Sequence, residues 1–425
     1  MPAPQTLLLG AAGFIGQHIA IALRDAGHNV LACARDTRRL TAMGFDTLAA
    51  DLTDPATHSP EFWRPHVENC TRVINCAGLL TGRDADFEAV HVAAPQAVYA
   101  ALPATARGVL ISAIGINADT PFATYRRRGE KAAQAAPIPV TILRPGLVLA
   151  DGSYGGSSLA RALAALPMVT PVVGNGNQPF NPIHADDLAA LAIEAINADT
   201  PAQPIEIGGP GEITQAALLT SLRAWLGLRP ARILHLPLPL ARLMGRIGDS
   251  LRLAPISATS VQQLEQGVAT DITEQSRHFQ TRPRGFAAFL RARPSQTQDL
   301  WHARLYLLRP VLRLTLALMW LASGLIGLLL PVDSFLPYVS GLLPDTMLIV
   351  AARITGAIDL LIALALLRAW RLKQIAWLQF AMVAGYTVGL TLINPALWLA
   401  PFGGLLKNLP ILVLIMIHRV LEEER

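Results

Sequence analysis

Hydrophobic residues fall in two textures along this chain. Up to about residue 300, short apolar runs at 6–9, 30–34, 73–76, 108–112 and 140–143 alternate with segments of helical character. Strands separated by helices predict βαβ units and a parallel sheet, an α/β class. The run at 6–9 reads as the first strand and not as a signal peptide, because no positive region precedes it and no cleavage site follows. From residue 311 the runs lengthen. Residues 311–330 carry one charge, Arg313, and 347–367 carry Arg353 and Asp359. Residues 374–393 carry none, and 397–420 are interrupted by Pro401, Gly403, Gly404, Lys407 and Pro410. About 20 apolar residues cross a bilayer as a helix, so the pattern predicts an all-α bundle of four transmembrane helices.

Charge then orients the bundle. Arg291, Arg293, Arg304, Arg309 and Arg313 precede the first span, Arg368, Arg371 and Lys373 separate the second from the third, and Arg419 and Arg425 follow the fourth. The other two loops, 331–346 and 394–403, have no Lys or Arg. The positive-inside rule puts the N-terminal domain and the C-terminus in the cytoplasm of a multi-pass protein. The polar, proline-bearing stretch 282–300 has the texture of a linker. The domains are therefore drawn as 1–290, a linker over 291–308, and 309–425.

Composition agrees. Of 425 residues, 52% are hydrophobic and 15% charged, with a mean hydropathy of +0.39, high for a soluble chain. A net charge of +5 without a long basic tract argues against nucleic acid. Cys33, Cys70 and Cys76 lack zinc-site spacing and read as reduced thiols, and no metal is expected.

The first candidate chemistry follows the first strand. Gly10, Gly13 and Gly16 form a GxxGxxG loop, with Phe14 and Ile15 inside it, and a helical segment follows to Gly27. Gly10 permits the tight turn, Gly13 the approach of a pyrophosphate, and Gly16 the packing of helix on strand. The second strand ends at Arg35, with Arg38 and Arg39 beyond it, where an acidic residue would bind the ribose of NAD. Guanidinium groups suit a 2′-phosphate, so NADP(H) is favoured over NAD(H), with Asp36 keeping NAD open. Asp51 and Leu52 are placed to border the adenine.

Further motifs extend this reading. Asn75, Cys76, Ala77 and Gly78 end one strand, Ser112 follows Ile111, and Leu143-Arg144-Pro145-Gly146 ends another. Gly174-Asn175-Gly176 precedes Ile183-His184-Ala185-Asp186-Asp187. With the glycine loop, these residues resemble the extended and atypical short-chain dehydrogenase/reductases over about 5–290. The resemblance implies a Rossmann-type doubly wound parallel sheet with a small cap at 205–290. It also implies a cofactor site at Gly10, Gly13, Phe14, Ile15, Gly16, Arg35, Arg38, Asp51, Leu52, Cys76, Ala77, Gly78, Arg126 and Pro145. The family's Tyr-xxx-Lys pair, the proton donor and its cationic neighbour, is missing. Anchoring on Glu130 puts Phe122 at the tyrosine position and Arg126 at the lysine position. Starting instead at Tyr125 reaches Gly129 four residues on. The catalytic candidates are therefore Ser112, to polarise a carbonyl or merely to pack; Tyr125, with Arg128 as neighbour; and Arg126, to hold ribose or phosphate. His184, Asp186 and Asp187 read as a structural helix start, and 152–158 as a loop able to cover a substrate.

Pro401-Phe402-Gly403-Gly404-Leu405-Leu406-Lys407-Asn408-Leu409-Pro410 resembles the DoxX-like family of bacterial membrane bundles, over about 305–420. That resemblance places the chain in a bacterial-type inner membrane. Intramembrane charges are functional candidates: Arg353 and Lys407, which can also snorkel, and the deeper Asp359, for which Lys407 is a conceivable partner. Gly385 and Gly389 allow close helix approach, within the bundle or between chains. The expected function is a membrane-anchored NADP-dependent oxidoreductase reducing an apolar or quinone-like acceptor. The alternative is a catalytically inactive NADP(H)-binding sensor or scaffold subunit of a membrane complex, or a homo-oligomer.

Overall fold

The computed structural model describes residues 5–117, 120–198, 203–253, 256–339, 344–400 and 404–423. At its centre lies β1 (Gln5–Leu9), whose residues alternate between two cores, Leu8 facing one and Leu7 and Leu9 the other. A strand buried on both faces needs an unbroken apolar run, which is why 6–9 stood out. Around it lie β2 (Asn29–Ala34), β3 (Asp46–Ala49), β4 (Cys70–Asn75), β5 (Arg107–Ile111), β6 (Val140–Pro145) and β7 (Ile205–Ile207). These seven strands are all parallel, in the order β7-β6-β5-β4-β1-β2-β3. On one face α1 (Phe14–Asp25) contributes Ile19 and Leu23 and α3 (Ala185–Asn197) contributes Leu188 and Leu191. On the other, Trp63, Val98, Tyr99 and Ala133 of α2 (Pro121–Gln134) close the layer. This is the doubly wound Rossmann arrangement, and the strand order reverses between β1 and β4, where such sheets bind ligands.

The cap begins later than its sequence suggested. Residues 205–207 are the edge strand β7, paired on β6, and not part of the cap. Three residues ahead of Gly208-Gly209-Pro210 are too few to register as a run. The cap itself pairs Val169–Val173 with Arg232–Leu236 and adds α4 (Leu238–Ser250) and α5 (Ala258–Gln266).

The region drawn as a linker, 291–308, is mostly helical. Phe286–Ala292 ends before Pro294, and α6 (Thr297–Leu329) starts three residues after that proline. Asp299 fixes this start: its carboxylate accepts the Gln296 N–H at 2.8 Å and pairs with Arg293 at 3.2 Å and the buried Arg161 at 3.4 Å.

The chain divides into two units, Met1–Gly245 with Ser257–Ala303, and Arg246–Ile256 with Arg304–Arg425. In the second, α6, α7 (Asp345–Leu367) and α8 (Leu372–Ile393) are long and apolar enough to cross a membrane. The fourth predicted span, 397–420, is not one such helix. It becomes a short 3-10 turn at Pro395–Leu399, another at Leu405–Lys407, and the 14-residue α9 (Asn408–Leu421). Pro410 sits in the first turn of α9, where proline is tolerated, but its ring bars extension of the helix backwards. Pro401, Phe402 and Gly403, central to the predicted span and motif, lie outside the described residues. Leu316, Trp320, Ile362, Leu366, Ala376 and Ile415 fill the bundle core. Leu318, Ile326, Val350, Leu361, Val388, Leu392 and Val413 are each more than half exposed on its outside. Helices apolar on every side belong in lipid, not in a soluble core.

Candidate functional site

The residues singled out for a dinucleotide collect at the carboxyl edge of the sheet. Gly10, after β1, has φ +73°, and an added Cβ there would lie 2.8 Å from the Ala77 nitrogen. A Cβ on Gly16 would run into the Gly10 carbonyl oxygen. The loop, the first turn of α1 and the turn after β4 thus meet backbone to backbone. Asn75 Oδ1 accepts the Ala77 N–H at 3.0 Å and sets the Cys76-Ala77-Gly78 turn. Gly13 is the N-cap of α1, and no side chain caps the helix there. The first N–H groups of α1 are left for an anion, in a positive dipole end. Half-buried Phe14 stacks on Tyr154, with centroids 6.5 Å apart, but of the expected 152–158 loop only 152–155 is loop, since a helix starts at Gly156.

At the end of β2, Asp36 and Arg38 hold each other, Arg38 Nε to Oδ1 at 3.0 Å and Nη2 to Oδ2 at 2.5 Å. The Arg38 guanidinium holds the Asp36 carboxyl down to about 2. Arg35 is exposed and, among the described residues, makes no hydrogen bond or ion pair. Asp51 closes a turn on Thr53, accepting its N–H at 2.9 Å and its hydroxyl at 2.8 Å, and Leu52 is buried beside it.

The helix that should carry the proton donor is α2. Phe122 is 8% exposed, and Arg126, one turn on, lies with its guanidinium 5.6 Å from the centre of that ring. Arg126 Nη1 donates to the Ile111 carbonyl at 3.0 Å, and its other end packs against Gly78. Burial pulls its pKa down to about 10, so it stays charged at neutral pH. Its Nε is buried with no acceptor. That orphaned donor, the glycine turn and the uncapped α1 fit a dinucleotide.

Ser112 is committed elsewhere. Its hydroxyl donates to Glu130 Oε1 at 2.5 Å, and Glu130 in turn takes Arg144 at 2.9 Å and 2.5 Å. Tyr125 stacks on Phe87 at 5.6 Å, with Arg128 over its ring at 5.2 Å and Arg128 paired to Glu88. The structure therefore brings Ser112, Phe122, Arg126 and Gly78 together, and sets Tyr125 in an aromatic stack that continues from Phe87 to His91. Buried His91 was missed by sequence reasoning. It lies on a π-helical turn, Ala89–Ala93, and accepts the Leu79 N–H at 3.2 Å. Burial, with Arg126 nearby, pushes its pKa down to about 3. Beyond Phe122 opens a cleft of only about 30 Å³, lined by Ile114, Thr120, Phe122, Gln262, Gln263 and Val268 among others, with no ionisable group among its lining residues.

A family model described as NAD(P)H-binding matches residues 10–199, and one described as the DoxX-like family matches 317–416. The chain joins an NAD(P)H-binding domain to a DoxX-like domain. A curated relative, NADH dehydrogenase (ubiquinone) 1 alpha subcomplex subunit 9, mitochondrial, from Arabidopsis thaliana, is 25% identical over 258 residues, 57% of this chain and 62% of its own. The chain thus spans about three fifths of the length of that relative. Among solved structures, gox2253 matches with TM-score 0.50 and 14% identity, covering 67% of this chain and 95% of its own. UDP-glucuronic acid 4-epimerase from Bacillus cereus matches with TM-score 0.48 and 16% identity, covering 71% and 98%. Likeness at such identity speaks to fold alone.

Within the NAD(P)H-binding domain, His184 caps α3, accepting the Asp186 N–H at 3.2 Å, while Asp186 takes His18 at 2.6 Å and Asp187 takes Arg284 at 3.0 Å. The segment is a helix start, and no metal-binding cluster occurs among the described residues. In the DoxX-like domain, Asp359 is buried and accepts Ser323 Oγ at 2.6 Å and Tyr386 Oη at 2.9 Å, tying α6, α7 and α8 together. Its partners are these hydroxyls and not Lys407, which is exposed. Arg353 donates to the Gly327 and Leu330 carbonyls at 2.8 and 2.9 Å, closing the C-terminal end of α6. Gly385 and Gly389 have open space where a Cβ would stand, so among the described residues they mediate no close approach.

Proposed function

We propose that this chain is a membrane-anchored NADP(H)-binding protein of the short-chain dehydrogenase/reductase type whose site holds the dinucleotide without ordinary carbonyl–alcohol turnover. The observation that carries this reading is the Ser112 hydroxyl bound to Glu130 while Phe122 stands where the proton donor would be. A hydroxyl that donates its hydrogen bond to a buried carboxylate has no proton to offer a carbonyl, and a phenyl ring transfers none. A bound nicotinamide cofactor supplies or accepts a hydride. The residues that would hold it are Gly10, Gly13, Phe14, Ile15, Gly16, Arg35, Asp51, Leu52, Cys76, Ala77, Gly78, Arg126 and Pro145. Arg35 would take the 2′-phosphate. Arg38 would neutralise Asp36, which could otherwise receive the ribose hydroxyls of NAD. The relative's name, a subunit of a mitochondrial NADH dehydrogenase, with the apolar helices of this chain, supports membership of a membrane complex.

The union with a DoxX-like membrane domain favours a second reading: hydride transfer to an apolar, quinone-like acceptor that needs no enzymic proton donor.

The test is a titration of the full-length protein in nanodiscs with NADPH and NADH, followed by NADPH oxidation against aldehydes, ketones and soluble quinones. The expected result is NADPH binding weakened at least tenfold by Arg35→Ala, a shift towards NADH in Arg38→Ala, and no carbonyl turnover. Carbonyl reduction by the wild type would overturn the first reading, and quinone reduction would establish the second. Absence of binding to either nucleotide would sink both.

A further inference from the structure

Helix α4 (Leu238–Ser250) reverses the ordinary arrangement of a surface helix. Its inward side is made of small residues, Ala241, Gly245 and Gly248, all buried. A Cβ on Gly245 would lie 3.0 Å from Ala258 Cα, and one on Gly248 would strike the Ile256 carbonyl oxygen. Its outward side carries the bulky residues: Leu240 is 45% exposed, Leu243 52%, Met244 40% and Ile247 47%. Their spacing of three, four and seven residues draws one stripe along the helix. Ile233 and Leu234 on the neighbouring strand are exposed too. Arg242 and Arg246, one turn apart, flank the stripe; Arg242 is paired to Glu265, and Arg246 has no partner among the described residues.

The end of the helix belongs with the membrane helices. Arg246–Ile256 forms one unit with the membrane helices. The carbonyls of Leu251 and Arg252, just past α4, accept the Arg313 guanidinium at 2.5 and 3.1 Å, and Arg252 donates to the Arg368 carbonyl at 2.9 Å. Arg313 stands where the apolar stretch of α6 begins, and Arg368 caps the end of α7. Consecutive spans run in opposite directions, so both mark the same face of the bilayer. Ile247, the last residue of the stripe, belongs to that unit and stands four residues before Leu251.

We propose that α4 is an interfacial helix. It lays Leu240, Leu243, Met244 and Ile247 into the headgroup–acyl boundary of the leaflet where α6 begins, with Arg246 at the phosphates. The occupant is the bilayer itself. A free-standing apolar stripe of this size is otherwise an aggregation liability, and the stripe continues an existing membrane contact. This inference is independent of what the nucleotide site does.

The experiment uses the full-length protein in phosphatidylcholine–phosphatidylglycerol nanodiscs, with nitroxide labels on Leu243→Cys and Ile247→Cys, and on Glu68→Cys as an exposed control. Thermal unfolding of each variant checks that the fold survives, and Met244→Cys replaces either one that fails. The expected result is that the α4 labels meet lipid-soluble oxygen several-fold more readily than a water-soluble nickel chelate, with the reverse at residue 68. Chelate access at 243 and 247 equal to that at 68 would overturn the proposal. So would exclusion of both probes, which would mean that protein and not lipid covers the helix.

Discussion

Replacing Glu130 by Gln removes a negative charge from a place where water hardly reaches it. The Glu130 side chain is 5% exposed and that of Arg144 26%. Glu130 holds Arg144 through two bonds and Ser112 through a third. Removing one partner of a buried pair costs about 3–5 kcal/mol, because the other charge stays behind unpaired. Here Arg144 keeps some contact with water and Gln retains one acceptor oxygen, so the low end applies, about 2–3 kcal/mol. For a domain of this size that corresponds to a midpoint lower by roughly 3–5 °C. The assay is thermal unfolding of the detergent-solubilised protein, followed by tryptophan fluorescence, to which buried Trp63 contributes. Arg144→Met and the double variant complete a cycle. If the unpaired charge is the cause, the double variant loses less than the sum of the singles. A midpoint lowered by less than about 2 °C, or strict additivity, would refute the argument.

Acid sensitivity comes from His91. The unfolded chain binds its proton near 6.5, but the folded protein only near 3. The stability this buried neutral ring contributes is therefore complete above pH 6.5 and falls as the pH drops towards 3, by up to about 1.4 kcal/mol per pH unit. His91→Gln should flatten the decline between those limits, and an unchanged slope in denaturant titrations would count against it. Arg126→Met should leave the unliganded midpoint unchanged or raised, since it removes a buried charge with an orphaned Nε. The rise given by NADPH at 100 times its Kd, about 2.7 kcal/mol in the wild type, should shrink to near zero; a full rise in the variant would exclude Arg126 from the site. Asp359→Ala strands two hydroxyls in the bundle and should destabilise it by about 1–2 kcal/mol. Asp359→Asn should cost less, as read by thermal unfolding in detergent, and equal losses would show that the hydrogen bonds are not the cause.

Parts of this architecture were legible because local pattern fixes them. The run at 6–9 is buried on both faces of the sheet, and Gly10 and Gly16 stand where only hydrogen fits. The long apolar segments needed nothing but length. The rest depends on contacts between distant residues. The link from Ser112 to Glu130 spans 18 positions and exists only because α2 packs against the end of β5. The π turn at His91 has no sequence signature. Strand β7 is too short to show a period, and Pro410 looked like an interruption within a span when it marks the first turn of a shorter helix. The outward stripe of α4 follows the same period as a core-facing stripe; only burial shows that its small side is the one turned in.

These placements explain why the NAD(P)H-binding site keeps a cation but not an acid. Lysine in a buried position can shed its proton, whereas a guanidinium pulled down to about 10 remains charged at every physiological pH. Arg126 therefore offers a permanent positive charge and an unused donor, both suited to holding a polar ligand and neither suited to cycling a proton. Phe122 beneath it contributes a face that attracts the cation and excludes water, but no hydroxyl. Ser112, which could have polarised a carbonyl, spends its proton in the chain through Glu130 to Arg144. Three independent features of the centre thus favour binding over proton transfer. On the proposed reading, any reduction carried out here takes an acceptor that finds its proton elsewhere, a description that fits a quinone better than a ketone.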